Sequence, residues 1–141
     1  MKKVKEVATP VIRRRLQCLQ LSLKQWQWLE KHPSKSKVSY FNRRSKRTGQ
    51  LVVPGHEVPR AMCWACQCGY EENGLTWGVC SFTCILHKLW LHGCLRNNSP
   101  YALWWDAVIS YNYRKSKKYA GVIVKGCRAA IKELKKQYEF A

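Results

Sequence analysis

Acidic residues are scarce in this chain: eight Asp and Glu stand against 26 Lys and Arg in 141 residues, for a formal charge of +18. So few carboxylates argue against two-metal phosphoryl chemistry, which needs them clustered. The central residues 61–110 offer only Glu71, Glu72 and Asp106. No apolar run approaches the roughly 20 residues needed to span a bilayer. Residues 1–9 are charged, and no apolar stretch with a cleavage site follows, so a secretory leader is not expected. A Gly-rich phosphate loop, a nucleophile elbow, an H-E-x-x-H motif and an internal repeat are all missing. These absences point to a non-catalytic protein of a reducing cytoplasm, with no membrane partner.

What is present is unevenly spread. Hydrophobic residues make up 46% of the chain, enough for one domain with its own core. Three segments are distinguished by charge: 1–60 carries +12, 61–110 carries −1 and 111–141 carries +7. A neutral, cysteine-rich and aromatic centre lies between two basic flanks. Such asymmetry suits a polyanion, DNA or RNA first, while a merely solvated basic surface is the bland alternative.

Six of the eight cysteines fall between residues 63 and 94. Clustering of this kind fits a metal site better than a dispersed disulfide framework. Cys63-Trp-Ala-Cys66 has the spacing that turns two thiolates toward one ion. Cys80 and Cys84 would share one face of a helix. The stretch between the pairs is long enough for a short β-hairpin turning at Asn73-Gly74. Four thiolates, from Cys63, Cys66, Cys80 and Cys84, leave Zn no open position, so the site would be structural. Such a site could supply on the order of 10 kcal/mol to folding. Cys68, His87, His92 and Cys94 are spare ligands. Buried thiols are the competing reading, and Cys18 and Cys127, on apolar helical faces, read as core.

Thr9-Pro10 reads as a helix start, with Ile12, Leu16, Leu19, Leu23 and Trp26 spaced 4, 3, 4, 3. That helix should stop near Lys31, ahead of His32-Pro33. Ser99-Pro100 opens a second helix over 100–110. A third is expected over about 122–138, with Val124, Cys127, Ile131, Leu134 and Tyr138 apolar and Arg128, Lys132 and Lys136 on a separate ridge that Lys125 and Lys135 widen. Residues 2–7 read as a frayed basic end. Residues 34–47 form the densest run of positive charge, a segment expected to be disordered until it meets an anion. Tyr40 and Phe41 within it read as core ahead of base-stacking. Phosphate contacts are expected from Arg13, Arg14, Arg15, Arg43, Arg44, Lys46, Arg47, Arg114, Lys117 and Lys118, with a solvated helix edge the equal alternative for Arg13 to Arg15.

Trp28-Leu29-Glu-Lys-His32-Pro33, Lys37-Val-Ser-Tyr40-Phe41, the Cys63–Cys66 pair and Tyr101-Ala-Leu-Trp104-Trp-Asp-Ala107 together resemble small cysteine-cluster proteins of prophages and conjugative elements of Gram-positive bacteria. The resemblance runs from Gln25 to Ala107. It implies zinc and a mobile-element origin, and no activity. The cysteine pairs are also similar to short treble clefs that bind DNA or a protein partner.

The expected architecture is α-rich (α+β): a treble-clef-like zinc centre with a short hairpin, packed by an N-terminal helix and two C-terminal helices. The expected function is that of a zinc-binding, non-catalytic nucleic-acid-binding protein, a phage or mobile-element regulator. A second class is an accessory protein that blocks a host protein. A third is an HNH-like nuclease using His87 or His92, for which the Asp-His or His-His start is missing.

Overall fold

The computed structural model describes residues 4–59, 62–73 and 99–140. Its elements in chain order are β1 (Glu6–Val7), α1 (Pro10–Lys31), α2 (Lys37–Phe41), a 3-10 turn (Gly55–Glu57), α3 (Trp64–Asn73), α4 (Pro100–Ile109), α5 (Tyr113–Gln137) and β2 (Tyr138–Glu139). The chain is thus α-rich, with strands among the described residues limited to a two-residue parallel pair.

Local chemistry sets both ends of α1. Thr9 is extended, and its Oγ1 accepts the Ile12 N–H at 3.2 Å, while Pro10 takes the first helical position. At the other end the His32 N–H donates to the Trp28 carbonyl at 2.9 Å. The His32 ring stacks on Trp28 at 4.2 Å, and Pro33 prevents continuation. Its buried face holds Ile12, Cys18, Leu19, Trp26 and Leu29, but also Ser22 and Gln25. Gln25 has a tether: its Nε2 donates to the Met62 carbonyl at 2.9 Å and so holds the approach to α3.

α5, α3 and α2 all pack on α1. On α5, Ser116, Ala120, Ile123, Val124, Cys127 and Leu134 are buried, and Ile131 packs partly buried against the same core. The helix begins at Tyr113, nine residues before the start expected from apolar spacing, because Asn112 caps it by accepting the Lys115 N–H. Ser116 Oγ donates to the Pro33 carbonyl at 2.7 Å, tying this first turn to the end of α1. Ser99 caps α4 in the same way as Thr9 caps α1. From α4, fully buried Trp104 meets Trp26 edge to face, 4.8 Å between centroids.

Three expectations are corrected. Within the N-terminal end expected to be frayed, Glu6–Val7 is instead β1, paired in parallel with β2 through Glu6↔Tyr138 and Val7↔Glu139, while residues 2 and 3 lie outside the described residues. Ala8 N–H continues the pairing to the Glu139 carbonyl at 3.0 Å. The basic run 34–47 is ordered around Tyr40 and Phe41, which are 7% and 2% exposed and anchor α2 to α1. Their core reading holds, and they are unavailable to bases. After them the chain closes a small loop with Gly49 at φ +70 and one antiparallel bridge, Arg44↔Leu51, where a short strand 51–53 was expected. Finally, residues 64–73 form helix α3 and not the first arm of a hairpin. The reason is long-range: Ala65 and Cys68, 0% and 1% exposed, face the core at helical spacing, and the Gln67 N–H closes the first turn on the Cys63 carbonyl at 3.0 Å. Asn73 ends that helix, and its expected turn partner Gly74 lies outside the described residues.

Candidate nucleic-acid interface

α5 concentrates positive charge on one side. It carries nine Lys and Arg and a single acid, Glu133. At about 100° per residue, Arg114, Lys118, Lys125, Lys132 and Lys136 fall within about 40° of one another. All five are exposed. Lys117, Arg128 and Lys135 form a parallel row beside them, also exposed. The stripe spans about 33 Å at 1.5 Å per residue. Burial of the opposite face against α1 and α4 fixes which way it points. Among the described residues the ion pairs are Arg14–Glu71, Arg15–Glu72 and His56–Glu57, so no cation of α5 sits on a carboxylate.

The expected phosphate contacts separate into two groups. Arg14 and Arg15 are occupied. Arg14 Nε and Nη2 grip Glu71 at 2.9 and 3.0 Å, and Nη1 donates to Gln17 at 2.8 Å. Arg15 grips Glu72 through Nε and Nη2. These two bidentate pairs clamp α1 to α3, and the Arg14 guanidinium also lies over the Trp64 ring at 5.5 Å. Arg43 is turned inward, over the rings of Tyr40 at 4.1 Å and Trp28 at 5.4 Å, with Nε donating to the Tyr40 carbonyl. Arg13, Arg44, Lys46, Arg47, Arg114, Lys117 and Lys118 are exposed. Arg13 lines a surface cleft with Ala8, Pro10, Arg14 and Gln17, and Arg44 donates to the Gly49 carbonyl at 3.0 Å. Lys125, Lys132 and Lys136 stood out in the sequence only as a ridge. Burial of the far side of α5 joins them to Arg114 and Lys118.

Of the expected zinc ligands, Cys63 precedes α3 and Cys66 lies buried in its first turn. Cys80, Cys84, His87, His92 and Cys94 lie outside the described residues. Among the described residues no three His, Cys, Asp or Glu side chains converge as a metal site would require. Cys68 has another role. It is 1% exposed, and its Sγ donates to Glu72 Oε2 at 2.9 Å. Contact with Cys18, burial and the Glu72 carboxylate all push its thiol pKa upward, so it stays protonated. Cys18 and Cys127 are fully buried, as their apolar helical positions indicated. No helix among the described residues is long and apolar enough to cross a membrane.

The clamp predicts a pH response. Hydrogen bonds from Arg14 hold the Glu71 carboxyl below its ordinary value of 4.5. Burial alone would raise Glu72, but hydrogen bonds from Arg15 and Cys68 outweigh it and the net direction is also down. Depressed carboxylates contribute stability that is present above 4.5 and lost as pH falls through the folded-state value. Side chains of the Arg14–Glu71 pair are 34% exposed, so each pair is worth about 1 kcal/mol or less. Thermal unfolding should therefore be flat down to about pH 5 and fall below it. The Arg14→Gln/Arg15→Gln variant should start less stable and lose less on acidification. A wild type and variant with parallel pH profiles would disprove the clamp.

Comparison of the chain with protein-family models, with curated proteins and with solved structures finds no match.

Proposed function

We propose that this protein binds nucleic acid without catalysing a reaction on it, and that the exposed stripe of α5 is its main phosphate-contacting surface. The observation that carries this reading is the distribution of charge along α5: nine cations, one acid, and no carboxylate partner for any of the nine among the described residues. A rigid helix with one buried and one cationic face can lie along a phosphate backbone, where each neutralised phosphate releases a counterion. Arg44, Lys46 and Arg47 in the loop after α2 are supporting contacts. The test is binding of nucleic-acid-free protein to a duplex across a salt series. A log–log slope of about −0.9 per phosphate contact is expected, so five contacts give about −4.5. A slope near zero would remove the reading.

A structural Zn held by Cys63, Cys66, Cys80 and Cys84 belongs to the same proposal. Its support is the placement of Cys63 and Cys66 at the start of α3, where the positive end of the helix dipole favours thiolates. Native mass spectrometry should find about one zinc per chain, and Cys63→Ser and Cys66→Ser should each lower both zinc content and melting temperature. Metal-free protein with an unchanged melt would disprove the zinc centre while leaving the α5 surface intact.

A further inference from the structure

Tyr111 stands where the backbone calls for glycine. α4 ends in a Schellman turn: Tyr111 N–H donates to the Val108 carbonyl at 3.2 Å, and Asn112 N–H to the Ala107 carbonyl at 2.8 Å. That geometry puts Tyr111 in the left-handed region, at φ 57. Glycine usually fills this position, because any Cβ is strained there. A bulky aromatic kept in such a conformation suggests use of its side chain. Packing is not that use, since Tyr111 is 78% exposed. Its neighbour Tyr113, 40% exposed, meets it edge to face at 6.4 Å. Exposed Arg114, Lys115, Lys117 and Lys118 follow on the first turns of α5. Asp106 is the one carboxylate between residues 104 and 118.

We infer that this α4–α5 corner is a stacking platform for the unpaired bases of a single-stranded nucleic acid. A base lies on the Tyr111 ring, and the cations after it take the adjoining phosphates. Exposed aromatics interleaved with cations suit single strands, because every base offers a π-face and the contact needs no particular sequence. A duplex hides those faces, so the corner confers a preference for single strands on the cationic surface. The inference rests on the nucleic-acid reading of α5 and adds the form of nucleic acid to it.

Full-length protein freed of nucleic acid is titrated into labelled oligo-dT of roughly 20 nucleotides, and separately into a duplex of similar length. Tyr111→Gly and Tyr111→Phe are compared with the wild type. Tyr111→Gly relieves the backbone strain, so its Tm should rise by about 3 °C. Its single-strand affinity should nonetheless fall about tenfold, with duplex affinity unchanged. Tyr111→Phe keeps a ring and should retain single-strand binding. Tyr111→Gly that binds oligo-dT as the wild type does would overturn the platform and leave the α5 reading standing. A wild type that binds neither strand nor duplex would overturn both. A more stable variant that binds less cannot be explained by misfolding.

Discussion

Replacing Lys125, Lys132 and Lys136 together with glutamine is expected to weaken duplex binding by about 100-fold at roughly 0.15 M salt. The magnitude follows from counterion release. Each lost phosphate contact removes about 0.9 from the log–log salt slope, which at that salt is about fivefold in affinity. Three contacts should therefore flatten the slope by about 2.7. All three side chains are exposed and on one stripe. The fold should be indifferent, since exposed substitutions of this kind usually change stability by less than about 0.5 kcal/mol. Arg14→Gln/Arg15→Gln is the informative comparison. Those arginines are already committed to Glu71 and Glu72, so their loss should reduce stability and leave the salt slope almost unchanged. A slope that responds to Arg14 and Arg15 but not to the α5 lysines would place the phosphate surface on α1 instead.

Trp104→Ala should be the most damaging single change to the fold. Trp104 is completely buried, with Trp26 at 4.8 Å and Tyr101 at 5.8 Å between ring centroids. Removing a buried tryptophan costs about 3–5 kcal/mol, from lost transfer energy and the cavity left behind. Against a total of about 5–15 kcal/mol, that lowers the melting temperature by about 10–20 °C or prevents folding. Trp104→Phe should cost much less. It keeps a ring against Trp26 and discards the Nε1–H, which is buried with no hydrogen-bond partner among the described residues. Trp105→Ala is the control, because that neighbour is 42% exposed and should move stability by less than about 0.5 kcal/mol. Equal melting shifts for Trp104→Ala and Trp105→Ala would contradict the packing described for α4.

Much of the helical framework was legible. Thr9-Pro10 and Ser99-Pro100 mark the starts of α1 and α4 because a cap is a contact between residues three apart. His32-Pro33 marks the end of α1 for an equally local reason. Cys18, Cys127, Tyr40 and Phe41 were readable as core from their spacing and chemistry. The start of α5 is not legible because its first turns are too basic to show apolar periodicity. Tyr111 is scarcely more legible as a site residue. Its one sequence signal is a tyrosine where a helix ending would usually carry glycine.

The sequence by itself determined what depends on near neighbours: helix caps and stops, apolar stripes, and a large surplus of positive charge. Tertiary structure decided what depends on partners far along the chain. The stretch after Cys63 reads locally as a knuckle and a turn, yet it is helical, with Cys68 and Ala65 buried beside α1 and Glu71 and Glu72 reaching arginines 57 residues away. The same contacts withdrew Arg14 and Arg15 from the cationic surface, and burial of one side of α5 turned its lysines outward. Charge can be counted from residue types alone. Which charges stay open to a ligand is settled only when distant carboxylates and core faces have taken their share.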